Sequence, residues 1–282
     1  MAVMSTREPP LPTFLVIGAQ KSATRWLRLN LGLHPDVFAA ATEVEFFNHR
    51  ERFHDLGISW YRAQFSGWSG EPIIGEATPG YMFWRHQPEI CADRIRQVVP
   101  DVRLIAMLRN PIDRAYSAML HHIARKTLAP DSDLLEIVRR TPAERDPLGL
   151  ISGGWYAESL KPYREWFGDQ LHVVLHDDVG DDARGVYDRA LRHIGARPDW
   201  VPADLEQVRF SYRDRPSADA NRMGGLTLEE RHQLYAYFAD DISRLAVMLG
   251  RDLSIWDPEH SAPKGSTGNA PPRGRVSRRR ST

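Results

Sequence analysis

The sequence has a single cysteine, Cys91, in 282 residues. One thiol excludes an internal disulfide framework and fits a reducing compartment. Long apolar runs are missing as well. No stretch approaches the ~20 residues that cross a bilayer, and the opening MAVMSTREPPLPT lacks the apolar centre of a secretion signal. A cytoplasmic location without membrane contact is the expectation. Formal net charge is +0, but the balance is uneven: from Pro263 onward there are six Lys or Arg and no acid, leaving 31 basic against 37 acidic residues before it. The body is mildly acidic, and the arginine-rich end reads as a solvated tail rather than a nucleic-acid or lipid site. No internal repeat occurs. No set of His, Cys or Glu has metal-ligand spacing, and Asp177 and Asp178 read as caps after a strand, so no metal is expected.

The hydrophobic and charged fractions, 42% and 26%, lie near the soluble globular norm and exclude wholesale disorder. The length suits one large α/β domain. Residues 1–12 read as a proline-rich lead-in, 13–256 as the domain and 257–282 as a basic tail.

The chain is organised around Thr13 to Leu33, TFLVIGAQKSATRWLRLNLGL. Phe14 to Ile17 is a short apolar run of the kind that forms a buried strand, Gly18 turns the chain, and Trp26, Leu27, Leu29 and Leu31 fit a helix packed along one side. Backbone N–H groups at a helix start have no intrahelical partner, so the intervening loop is a ready anion site, strengthened by Lys21, Ser22 and Thr24. A nucleoside-triphosphate loop needs G-x-x-x-x-G-K-[ST]. Here the lysine falls three residues after Gly18, a second glycine is absent, and Ala23 occupies the middle of the loop.

Four later segments carry chemistry. Glu43-Val44-Glu45-Phe46-Phe47 sets two carboxylates beside two aromatic rings, which is either an acid/base site or an amphipathic piece whose glutamates face water. Ile73-Ile74-Gly75 reads as a strand delivering GEATPGYM. Its Thr78 and Tyr81 either meet a ligand at the strand's end or form a proline turn. Leu104 to Leu108 reads as another buried strand, followed by Arg109, the N-cap Asn110 and Pro111 at the first helical position. Arg109 is thereby held at a strand's carboxyl end, where its planar fork suits phosphate, and Ser117, further along the helix, adds a hydroxyl. Lys126 to Gly149 is a polar, lid-like stretch. Thr227 with Glu230 forms a capping box opening a helix whose Leu234, Phe238, Ile242, Leu245 and Leu249 face the core, with Gly250 as the stop.

The loop G-A-Q-K-S-A-T-R-W-L resembles the 5′-phosphosulfate loop of sulfotransferases that use 3′-phosphoadenosine 5′-phosphosulfate (PAPS), of the heparan-sulfate and bacterial carbohydrate type, close to G-x-x-K-[ST]-G-T-[ST]-x-L. Ala23 replaces the usual glycine and Arg25 the usual hydroxyl residue. Thr42 to Phe47 resembles K-E-x-H-F-F, with Glu43 on the glutamate that acts as base, Thr42 in place of the lysine and Glu45 in place of the histidine. Gly75 to Tyr81 resembles G-E-x-[ST]-P-x-Y. Arg109, Asn110, Pro111, Arg114 and Ser117 match the 3′-phosphate element R-[ND]-P-x-x-R-x-x-S position for position. Gly154 onward resembles the helix G-x-Y-x-x-x-L, which offers Tyr156. The resemblance implies a single P-loop-like α/β domain with a central parallel sheet flanked by helices. It implies PAPS as donor, with 3′,5′-adenosine bisphosphate (PAP) as product and no metal, and a sugar or small-molecule acceptor. Glu43 and Lys21 would be catalytic. Lys21, Ser22, Ala23, Thr24, Arg25, Trp26, Arg109 and Ser117, with a late arginine, Arg213 or Arg215, would hold the nucleotide. Glu43, Thr78, Tyr81 and Tyr156 would face the acceptor. A nucleotide kinase and a catalytically idle nucleotide-binding protein are the competing functions.

Overall fold

The computed structural model describes residues 8–83, 87–142, 145–205 and 225–261. Five strands form one sheet: β1 Phe14–Gly18, β2 Val37–Ala39, β3 Ile73–Ala77, β4 Arg103–Leu108 and β5 Leu171–Leu175. Their order is β2-β3-β1-β4-β5 and every pairing is parallel. Parallel strands need crossovers, and the connections supply helices: α1 Thr24–Leu31, α2 Gly57–Ala63, α3 Pro88–Val98, α4 Pro111–Ala124, α5 Leu134–Arg140, α6 Tyr156–Phe167 and α7 His176–Ile194. After β5 and α7 come α8 Leu228–Tyr235, α9 Ala239–Leu249 and the single turn α10 Pro258–Ser261.

Side chains alternate across a strand, so each strand feeds two cores. Phe14, Val16, Ile105 and Met107 join Trp26, Leu27 and Leu31 of α1 and Val186, Tyr187 and Leu191 of α7 on one face. Leu15, Ile17, Leu104, Ala106 and Leu108 join residues of α3, α4, α6 and α9 on the other. Both faces are dry, which explains why β1 and β4 read as continuous apolar runs. The α/β architecture with a central parallel sheet is the one expected.

Two details differ from the sequence reading. The helix opened by Thr227, whose capping box forms in full, does not continue to Leu249. It stops at Tyr235, and α9 starts afresh after Phe238, whose backbone (φ −120°, ψ −18°) is not helical. The reason is packing. The buried Phe238 ring lies against Gly154, where a Cβ would sit 2.8 Å from it. Second, α10 falls inside the stretch assigned to the tail and is anchored through Asp257, which accepts from the Tyr235 hydroxyl at 2.7 Å.

The strand order decides where chemistry can occur. With β3 and β4 flanking β1, the loops leaving β1, β3 and β4 emerge side by side at the sheet's carboxyl edge, and the loop after β2 lies one strand further out. In open parallel sheets this edge is where ligands bind.

Candidate active site

The loop from Gly18 to Ala23 turns tightly enough to require unusual backbone. A Cβ at Gly18 would lie 2.1 Å from Met82 Cγ, so only glycine fits there. Lys21 and Ala23 both adopt left-handed conformations, φ +70° and +66°. Ala23 is the N-cap of α1, yet no side chain caps that helix and no acid occupies its first turn. Ser22 is fully buried and its Oγ has no hydrogen-bond partner of good geometry. Its neighbour, the Tyr156 hydroxyl, donates instead to the Arg109 carbonyl at 2.8 Å. A sealed-in hydroxyl without a partner is costly. Together with an uncapped helix start, it describes a turn shaped for an anion's oxygens.

Arg109 follows β4 directly, and Asn110 caps α4 by accepting from Ile112 N–H at 3.0 Å, with Pro111 at the first helical position. Because β1 and β4 are hydrogen-bonded neighbours, Arg109 Nη1 reaches the Lys21 carbonyl at 3.4 Å. The lysine turn and the arginine fork, 88 residues apart in sequence, therefore meet at one edge. Ser117 lies half-buried on α4 beyond Arg109.

The acidic segment after β2 is held from all sides. Arg28 of α1 donates to the Ala40 carbonyl (2.8 Å), Arg52 to the Val44 carbonyl (2.6 Å) and Arg94 to the Phe47 carbonyl (2.7 Å). The amides of Val44 and Glu45 donate to Thr78 Oγ1 at 3.0 and 3.1 Å, and that of Phe46 to the Tyr81 hydroxyl at 3.1 Å. Phe46 stacks on Tyr61 with ring centroids 4.3 Å apart, and Phe47 meets Tyr81 edge-on. The fixed backbone presents Glu43, whose side chain is exposed. Partial desolvation, and then the charge of Glu45, push its carboxyl pKa up, while Arg28, Arg125 and Lys21 pull it down. Lys21 is thus within electrostatic reach of Glu43. Glu45, at φ +53°, is occupied by His49 and Arg52 at 3.1 and 3.2 Å.

Three residues expected to face an acceptor are buried and bonded within the protein. Thr78 and Tyr81 are fully buried and their hydroxyls are already committed, each accepting from the acidic loop and donating to Glu76. Tyr156, also buried, fixes the Arg109 main chain instead of opening to solvent. The physical reason is common to all three: a hydroxyl near a strand end is as useful to neighbouring loops as to a ligand, and here the loops take it. Arg114 of the arginine-serine element is likewise internal. It donates to the Gly149 carbonyl at 2.7 Å and also to that of Leu150. Arg213 and Arg215 lie outside the described residues.

Elsewhere, a groove of about 390 Å³ runs along the outer edge of β5 and contains none of these residues. Its Asp178 and Arg251 pair with each other. Among the described residues, no three His, Cys, Asp or Glu side chains group as a metal site would require, and no helix is long and apolar enough to cross a membrane.

Residues 11–212 match the family model described as a sulfotransferase domain. The chain belongs to the sulfotransferase family. Among solved structures, this sulfotransferase is similar to the crystal structure of a sulfotransferase from Alicyclobacillus acidocaldarius, with 29% identity, a TM-score of 0.72, and coverage of 88% of this chain and 99% of that one. Human heparan sulfate glucosamine 3-O-sulfotransferase 3B1 is 33% identical over 195 residues, 66% of this chain and 47% of that protein. Human bifunctional heparan sulfate N-deacetylase/N-sulfotransferase 3 is 30% identical over 280 residues, 87% of this chain and 31% of that protein. The sulfotransferase thus spans less than half the length of these curated relatives.

Sequence reasoning missed several participants. Arg28 and Arg125 act on Glu43 from α1 and from the end of α4. Both read as ordinary helix arginines, and only the fold brings them to the edge. Glu76 is the clearest omission, although it left a signal: a lone carboxylate in the middle of the otherwise apolar Ile73-Ile74-Gly75-Glu76-Ala77 strand.

Proposed function

We propose that this sulfotransferase moves the sulfuryl group of PAPS onto a hydroxyl or amine of a carbohydrate acceptor, with Glu43 as the base. The observation that carries the reading is the Arg109 guanidinium lying against the Lys21 turn at 3.4 Å. Two cation-bearing cradles on neighbouring strands suit a small nucleotide charged at both its 5′ and 3′ positions, which separates PAPS from ATP. The unpartnered Ser22 hydroxyl, the left-handed turn and the uncapped start of α1 fit the 5′-phosphosulfate. Arg109, with Ser117 along α4, fits the 3′-phosphate. The donor supplies an activated sulfuryl group whose leaving phosphate gains negative charge.

The residues divide the remaining work. Lys21 and the first-turn N–H groups of α1 neutralise charge at the leaving side. Glu43 stands opposite, where it takes the proton from the attacking acceptor group. Its raised pKa improves the match between base strength and the proton to be removed. The pinned backbone on either side of Glu43 keeps the two ends in line, as in-line transfer requires. A sugar acceptor is supported by the relatives, whose names specify heparan sulfate.

The direct test is incubation of the full chain with sulfur-labelled PAPS and heparan sulfate, with product release followed as PAP. Label transferred to the polysaccharide supports the reading. PAP binding without transfer to heparan sulfate or simpler amino sugars would favour the idle nucleotide-binding protein.

A further inference from the structure

Glu76 is fully buried, and among the described residues its side-chain hydrogen-bond partners are hydroxyls. Three hydroxyls donate to its carboxylate: Thr78 Oγ1 to Oε2 at 2.6 Å, and Tyr81 and Tyr61 to Oε1 at 2.5 and 3.2 Å. A hydroxyl has one proton to give, so Thr78 and Tyr81, having given theirs to Glu76, can only accept from other groups. What they accept are three consecutive amides, those of Val44, Glu45 and Phe46. The polarity of the network therefore runs one way, from the loop's amides through two hydroxyls to one buried acceptor. The backbone it fixes begins one residue after Glu43.

We propose that Glu76 is a positioning residue for sulfuryl transfer, setting the direction of the Thr78 and Tyr81 hydroxyls so that they grip the amides of residues 44–46 and hold Glu43 at its working place. The proposal rests on Glu43 being the base. A carboxylate is needed because it accepts all three hydroxyl hydrogen bonds while presenting no donor of its own. Glutamine in the same space presents a donor on one side, which competes for a hydroxyl lone pair that an amide now uses. Burial pushes the Glu76 carboxyl up to about 7, since desolvation outweighs the hydrogen bonds from Thr78, Tyr81, Tyr61 and the Val44 amide, and the one-way network belongs to the ionised form above that value. Keeping so expensive a group in a strand beside the site is consistent with a role beyond packing.

The test compares Glu76→Gln, Thr78→Val and Thr78→Ser with the parent by amide hydrogen exchange, PAP titration and PAPS-to-heparan-sulfate turnover. In Glu76→Gln the amides of residues 44–46, and in Thr78→Val those of residues 44 and 45, should exchange roughly tenfold faster or more, as expected for one lost hydrogen bond. PAP affinity and acceptor KM should hold while kcat falls roughly 10²-fold, the scale of a misplaced catalytic group. Thr78→Ser, which keeps the hydroxyl, should restore both exchange protection and kcat. The double variant Glu43→Gln/Glu76→Gln should turn over no more slowly than Glu43→Gln alone, because Glu76 acts only through Glu43. Parent-like exchange and kcat in Glu76→Gln would overturn the proposal, as would additive losses in the double variant. Undiminished turnover in Glu43→Gln would instead remove the base, while the exchange result would still decide whether Glu76 orders the loop.

Discussion

In the proposed reaction Glu43 and Lys21 act at opposite ends, so their variants should fail differently. Glu43→Gln removes the base but leaves both cradles, and kcat should fall by roughly 10²–10⁴-fold with PAP affinity nearly intact. Lys21→Ala should weaken PAP binding and turnover together, because the lysine meets the donor before and during transfer. Calorimetry and initial rates on the two variants separate these outcomes. The pH dependence has a defined sign: Glu43 works ionised and its pKa is raised above the ordinary 4.5. Activity should therefore fall as the solution is acidified, first as Glu76 takes up its proton near 7 and then as Glu43 does, and both parts of that limb should disappear in Glu43→Gln, because Glu76 acts only through Glu43. Ala23 makes a different prediction. At φ +66° it holds a conformation that glycine adopts freely. Relief of that strain exceeds glycine's extra chain entropy, and Ala23→Gly should stabilise the protein by up to about 1 kcal/mol in urea denaturation. A loss of similar size would mean that the alanine methyl makes a contact worth more than the strain.

At the scale of elements, the strands of the sheet were largely readable. Phe14–Ile17 and Leu104–Leu108 are continuous apolar runs bounded by turns, and they fold as read, within one residue at either end. The three-residue β2 was not visible inside HPDVFAAATEVEFFN, because so short a strand carries no period. The Lys21 turn and the Asn110-Pro111 helix start were readable because each is built locally. The roles of Thr78, Tyr81 and Tyr156 were not, because each depends on which loop lies across the sheet edge. Arg114 illustrates the same limit. Its guanidinium faces the carbonyls of Gly149 and Leu150, while Asp146 in that turn accepts from the amides of Ile151 and Ser152 at 2.7 and 3.0 Å. The pair fastens the end of the polar 126–149 stretch to α4. Arg114→Met removes the charged donor from buried carbonyls and should cost about 3 kcal/mol in urea denaturation. A change under about 1 kcal/mol would show that the turn holds itself.

For the whole molecule, the parallel order β2-β3-β1-β4-β5 is what turns four separate sequence motifs into one site. Each motif leaves a strand at the same edge, and the central β1 carries the Lys21 turn between the Glu76 strand and the Arg109 strand. The proposed site requires the Lys21 turn and Arg109 to converge on one doubly phosphorylated adenosine. The measurement that tests it most directly is a calorimetric titration of the parent and Arg109→Ala with PAP, and with ADP, which lacks the 3′-phosphate. The parent should bind PAP at least roughly tenfold more tightly than ADP, the contribution of one charge-assisted contact, and Arg109→Ala should erase most of that preference. Equal affinity of the parent for the two nucleotides, or a PAP preference that survives Arg109→Ala unchanged, would contradict it.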